Sequence, residues 1–138
     1  MGCLAAPGWA VKAPYPFGGI EGLVTVTVGH TICAIGGWDG SALVDRVVPY
    51  YPHTDTWGAP LTPMPTPRTH LAAVEVDGMI YAIGGLGSGW AVLDTVEVYD
   101  VAGDTWNPIG PLTPVQTPRE LLGAATVDGL IYAIGGHP

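Results

Sequence analysis

The sequence predicts an all-β chain built from one four-stranded unit used repeatedly, and three observations predict it. First, an apolar stretch closing on two glycines recurs as Ile32-Cys33-Ala34-Ile35-Gly36-Gly37, Ile80-Tyr81-Ala82-Ile83-Gly84-Gly85 and Ile131-Tyr132-Ala133-Ile134-Gly135-Gly136, at intervals of 48 and 51 residues. Second, Asp55-Thr56-Trp57 and Asp104-Thr105-Trp106 stand 49 apart, each tryptophan seven residues after a tyrosine, Tyr50 or Tyr99. Third, glycine and proline, 21 and 14 among 138 residues, recur so densely that few stretches are long enough for a helix. In a helix interior those residues cost about 1 and 3 kcal/mol respectively. A period near 49 marks one supersecondary unit stacked on copies of itself.

Within a unit the first strand is Leu71 to Val76, followed by Asp77-Gly78, a two-residue hairpin signal. Asp128-Gly129 repeats that signal, and Gly29-His30 holds the same place in the first unit. The second strand is the apolar run ending in Gly-Gly. The third covers about Thr95 to Tyr99, matching Arg46 to Tyr50. A turn, Val101-Ala102-Gly103-Asp104, leads to a short fourth strand at Thr105-Trp106, after which Pro108, Pro111 and Pro114 follow. Proline cannot donate to a ladder, so this strand belongs at a sheet edge.

The Gly-Gly pair closing the second strand, the later tyrosine and the tryptophan seven residues on resemble the kelch motif. That resemblance covers nearly the whole chain and implies a β-propeller of four-stranded blades. The first unit departs from the pattern, with Cys33 in place of Tyr81 and Tyr132, and Ile20 in place of Arg68 and Arg119. Trp9 aligns with Trp57 and Trp106, so residues 1–16 read as an outer half-blade with a degraded third strand. Residues 20–65 and 68–114 are whole blades, and residues 119–136 are an inner half-blade.

Three blade-equivalents cannot close a ring, and open strand edges invite association. A homodimer is therefore expected to form a six-bladed ring by strand exchange, each mixed blade drawing strands from both copies. A fragment of a longer propeller is the alternative reading. Burial of apolar side chains such as Ile131 and Ile134 would favour closure by roughly 1.5–3 kcal/mol each.

Charge narrows the function. Four basic residues stand against twelve acidic ones, a net charge of −8 with Lys12 the single lysine. That composition lacks the basic footprint of a nucleic-acid binder or of a protein held electrostatically to an anionic membrane. No apolar run reaches 18 residues, and Met1 to Leu4 lack a basic, apolar leader. Gly2 and Cys3 invite acylation only weakly, since Ala6 stands where myristoylation wants Ser or Thr. Two cysteines, Cys3 and Cys33, are too few for a disulfide framework, and Cys33 reads as a small buried hydrophobe. Together these features fit the cytoplasm.

Neither a nucleophile elbow, a phosphate loop nor a His-Glu-x-x-His pattern occurs. No cofactor and no metal are expected. Propeller geometry puts His30 and His53 in turns on one face and His70 and His137 toward the other, as solvated histidines. The tyrosine–cysteine crosslink of kelch copper-radical oxidases has no support here, because Cys33 lies in a core strand. Trp57 and Trp106 read as inter-blade core.

The candidate ligand-binding residues are Trp38 and Asp39 after the first Gly-Gly, Trp90 after the second, and Arg68, Arg119 and Glu120 at the channel mouth. Exposed aromatics are enriched at binding sites, although each tryptophan could equally fold onto the neighbouring blade. Each arginine could equally pair with a local carboxylate or with backbone carbonyls. Glu75 falls in an inner strand and could touch the channel. Two functions remain open: a non-enzymatic interaction module for a protein or small ligand, and a small-molecule enzyme of the sialic-acid epimerase kind. The resemblance implies polar channel-mouth side chains for both, and fold alone does not choose. The short loops favour binding.

Overall fold

The structure is a computed structural model that describes residues 8–138. Of the expected outer half-blade, residues 1–7, with Cys3, lie outside the described residues. Strands β1 (Val24–Val28), β2 (Thr31–Ile35), β3 (Val47–Tyr51) and β4 (Thr56–Trp57) form one antiparallel sheet in that order. Strands β5 (Ala72–Val76), β6 (Met79–Ile83), β7 (Val96–Asp100) and β8 (Thr105–Trp106) repeat it. A hairpin of β9 (Glu120–Val127) and β10 (Leu130–His137) follows. The two-residue fourth strands lie at sheet edges, where the prolines put them.

The innermost strands sit side by side, β5 between β1 and β9, so the sheets radiate from a shared axis as propeller blades do. One core fills the space between the first two blades and includes Cys33, Ile35, Val47, Met64, Leu71, Ile80 and Tyr99. A second, formed by Ala72, Val74, Ile83 and Leu122, joins the second blade to the hairpin. Two glycines let the blades approach. A Cβ on Gly36 would lie 2.6 Å from the Arg68 carbonyl, and one on Gly84 would lie 2.4 Å from the Arg119 carbonyl. Each neighbouring glycine uses that same carbonyl: Gly37 N–H donates to Arg68 O and Gly85 N–H to Arg119 O, both at 2.9 Å. The Gly-Gly pair is thus an inter-blade contact as well as a strand terminus.

The repeats compensate for their own substitutions. In the second blade the Val98 N–H donates to Asn107 Oδ1 at 3.1 Å. The first blade has Pro49 and Gly58 at these positions, so the missing donor is matched by a missing acceptor. The backbone bond beside them survives in both blades, Asn107 N to Val98 O and Gly58 N to Pro49 O, at 2.6 and 2.8 Å.

Trp57 and Trp106 correct the sequence reading. Both are half-buried at the blade rim, Trp106 packing against the edge of the inter-blade core and Trp57 lying outside it. Trp57 stacks on Tyr50 and Trp106 on Tyr99, each with ring centroids 4.9 Å apart. Their indole N–H groups donate to Ala13 O at 3.0 Å and Thr62 O at 2.9 Å. A buried indole needs such an acceptor, and the chain leaving the preceding blade provides one at the rim. Asp55 and Asp104 complete each clasp, accepting from the tyrosine hydroxyl (2.6 and 2.5 Å) and from Ala13 N or Thr62 N (2.8 Å each). Ala13 and Thr62 stand one repeat apart, so Ala13 serves the first blade as Thr62 serves the second. Trp9 itself is fully exposed.

Candidate functional site

The segments after the Gly-Gly pairs emerge on one face. Trp38 bridges to Glu21 and Leu43, and Leu86 bridges in the same way to Thr69 and Val92, so both loops start from the same scaffold. Asp39 then folds its loop into a tight turn. Its Oδ1 accepts from Ser41 N (2.9 Å), Ser41 Oγ (2.8 Å) and Ala42 N (2.8 Å). Those donors, Ala42 N–H foremost, hold the carboxyl below the usual aspartate range. Asp39 therefore shapes the loop and remains ionised at its surface.

In the second blade, Ser88–Trp90 form a single 3-10 turn that turns Trp90 outward with φ of 61°. Trp90 is 59% exposed, yet it meets the half-buried Trp38 with ring centroids 5.1 Å apart and planes at 53°. The two indoles, with Leu43, Thr66 and Pro67, line a groove of about 420 Å³. The sequence alternatives merge here, since each tryptophan packs on the neighbouring blade's loop and both remain on the surface.

Arg68 is not at the channel mouth, which corrects that expectation. Its side chain is wholly buried and its guanidinium pairs with Glu97 Oε2 at 2.8 Å. It also donates to the carbonyls of Gly84 (3.3 Å), Thr95 (3.1 Å) and Ala82 (3.3 Å). Burial lowers its pKa and the Glu97 charge opposes that shift. Every one of these contacts satisfies a group of the second blade, so the side chain clamps β6 to β7. Arg119 repeats part of this arrangement: its NH1 donates to Gly135 O at 3.0 Å and its Nε to Thr117 O at 3.2 Å.

Glu120 is buried and engaged. Its Oε2 accepts from His70 Nδ1 at 3.1 Å, and its Oε1 lies 3.7 Å from His137 Nε2. His70 in turn places Nε2 3.9 Å from Glu21 Oε1, so acids of two repeats flank one histidine near the axis. His70 and Leu121 both have positive φ, 54° and 55°, at the position where the first repeat has Gly22 at 64°. The neighbouring inner strands are tied at these residues, His70 N to Gly22 O at 2.9 Å and Leu121 N to His70 O at 3.0 Å. His30 and His53 meet away from this cluster, ring centroids 5.5 Å apart. Glu75 caps its own hairpin, accepting from Gly78 N at 2.6 Å. Among the described residues no three His, Cys, Asp or Glu side chains converge as metal ligands, and no helix is long and apolar enough to cross a membrane.

Sequence reasoning passed over Glu21 and Glu97, and it read as solvated a His70 that is mostly enclosed against Glu120. Only Glu97 left a signal, an acid in an apolar strand where the first repeat has Val48.

The radial blades and their repeated clasps define a propeller-type repeat protein. The Kelch motif matches residues 67–113, the second blade and its flanks. The chain is 36% identical over 111 residues to Kelch-like protein 28 of Homo sapiens, covering 77% of this chain and 19% of that protein. It is 31% identical over 117 residues to Kelch-like ECH-associated protein 1B of Danio rerio, covering 83% and 19%. It is 30% identical over 129 residues to Kelch repeat and BTB domain-containing protein 12 of Homo sapiens, covering 80% and 20%. The chain belongs to the kelch-repeat family, and it spans about a fifth of the length of these relatives.

Proposed function

We propose that this chain is a non-enzymatic, cytoplasmic kelch-type interaction module whose loop face takes a protein or small ligand. One observation carries the reading: Trp38 and Trp90, from equivalent loops of successive blades, meet across an open groove. Rigid, partly desolvated aromatics of this kind supply much of the binding energy at interfaces. The competing reading, chemistry by channel-mouth Arg and Glu, is less well supported, since Arg68 is enclosed and Glu120 is engaged by His70, which leaves Arg119 without a free carboxylate partner from that set. Affinity capture with the full chain is expected to recover partners that the Trp38→Ala, Trp90→Ala double variant does not. Recovery of the same set by both would overturn the loop-face assignment.

The module is further proposed to close into a six-bladed ring as a homodimer. The β9–β10 hairpin supports this with Leu121, Val127, Leu130, Tyr132 and Ile134 all exposed, from 46% to 63%. Apolar side chains on an unpaired strand edge favour pairing with another chain. Light scattering on a sizing column across a dilution series is expected to give twice the 14.2 kDa chain mass. A compact monomer at every concentration would sink the dimer and leave the loop-face proposal standing.

A further inference from the structure

Trp38 is the common wall of two grooves. On the side away from Trp90 it closes a second concavity of about 390 Å³, lined by Gly19, Ile20, Glu21, Trp38, Asp39 and Gly40. That lining combines one indole, two carboxylates and no cation. The Glu21 side chain is 76% exposed, and His70 Nε2 is 3.9 Å away, beyond hydrogen-bond reach. Arg46, the basic side chain whose charge reaches Asp39, lies over the Phe17 ring, 4.8 Å from its centroid. Its Nε is buried and lacks a hydrogen-bond partner, and the side chain is not part of the groove lining. Lys12 lies by Asp55, and Arg68 is sealed inside the second blade.

We infer that this groove is a docking site for an arginine side chain on an extended segment of a partner protein, its guanidinium lying against Trp38 between Glu21 and Asp39. A flat, weakly hydrated cation suits both the indole face and the carboxylates, which a neutral or anionic group would not. The net charge of −8 attracts such a segment from a distance. The Trp38–Trp90 groove lies against the same Trp38 wall, so a chain crossing that indole would meet both grooves. An extended peptide fits that shape better than a free small amine. The inference rests on the loop-face reading and adds the ligand's chemical class.

The test titrates the full chain with three capped peptides, acetyl-Gly-Arg-Gly-Arg-Gly-amide and its citrulline and glutamate counterparts, following the tryptophan indole N–H resonances. The arginine peptide is expected to shift Trp38 and to bind roughly fivefold more tightly than the citrulline peptide, a preference that falls in high salt. Glu21→Gln, a change at an exposed side chain, is expected to reduce that preference about two- to threefold. Asp39 is left intact because its carboxylate holds the turn. Equal affinity for arginine and citrulline peptides at Trp38 would overturn the inference while leaving the loop face as a binding surface. The absence of any shift at Trp38 with all three peptides would also overturn it, and the loop-face reading would then be judged by the double-variant capture alone.

Discussion

Arg68 and Glu97 form an ion pair of 2.8 Å inside the second blade, and the first blade has Ile20 and Val48 at the same two repeat positions. Both solutions are self-consistent, since each position is filled either by two apolar residues or by two opposite charges. A mixed pair would leave a buried charge alone.

This makes the clamp testable by transplantation. Arg68→Ala is expected to destabilise the fold by about 3–5 kcal/mol, because Glu97 remains buried without its partner. The double change Arg68→Ile with Glu97→Val copies the first blade and is expected to recover most or all of that loss. Urea unfolding of the three proteins decides it, and a double variant no more stable than Arg68→Ala would refute the compensation.

Acid should open the rim clasps. The Tyr99 hydroxyl, followed by Thr62 N–H, holds the Asp104 carboxyl below its ordinary value of 3.8. For Asp55 the leading cause is Ala13 N–H, followed by the Tyr50 hydroxyl. A depressed folded-state pKa means that the contribution is complete above the unfolded value and is lost as pH falls through the folded one. Stability from both clasps is therefore expected to hold above about pH 4 and to decline below it. Tyr99→Phe removes the larger influence on Asp104, so its carboxyl should titrate at higher pH. Carbon-detected NMR of the side-chain carboxyls measures this, and an unchanged Asp104 titration would show that the hydroxyl does not hold it.

Two glycines at one repeat position should respond differently to the same change. Gly84 and Gly135 have φ of 62° and 70°, so alanine at either pays the left-handed cost, about 1–2 kcal/mol. At Gly84 the new Cβ would also strike the Arg119 carbonyl, whereas at Gly135 it would meet nothing within 4 Å. Gly84→Ala is thus expected to lower the unfolding midpoint distinctly more than Gly135→Ala. Equal losses would mean either that the blades separate easily or that a partner copy in the proposed ring crowds Gly135 as the Arg119 carbonyl crowds Gly84.

Local chemistry made most of the fold legible. Asp77-Gly78 turns from β5 to β6, and the third strands lie within one residue of their expected bounds, Val96–Asp100 against Thr95 to Tyr99. Hairpin turns and proline edges depend on a few adjacent residues, so they are readable without neighbours. The candidate site was legible only in its tryptophans. Their loops follow the Gly-Gly signal, but nothing in the spacing specifies that Trp38 and Trp90, 52 residues apart, meet at 5.1 Å.

Arg68 shows why the rest was hidden. An arginine opening an inner strand reads as polar surface, since burial of a lone guanidinium is prohibitive. Its burial becomes tolerable only when β7 delivers Glu97 and the β6 and β7 segments together bring three carbonyls to one point, a condition set by strand register and not by sequence proximity. The rim tryptophans follow the same logic, as their acceptors Ala13 and Thr62 come from the preceding repeat, 44 residues away. The sequence by itself determined the repeat, its strands and turns, and the acidic, cation-poor character of the surface. Tertiary structure alone decided which polar groups were enclosed and which faced solvent, because that depends on donors and acceptors brought together across blades.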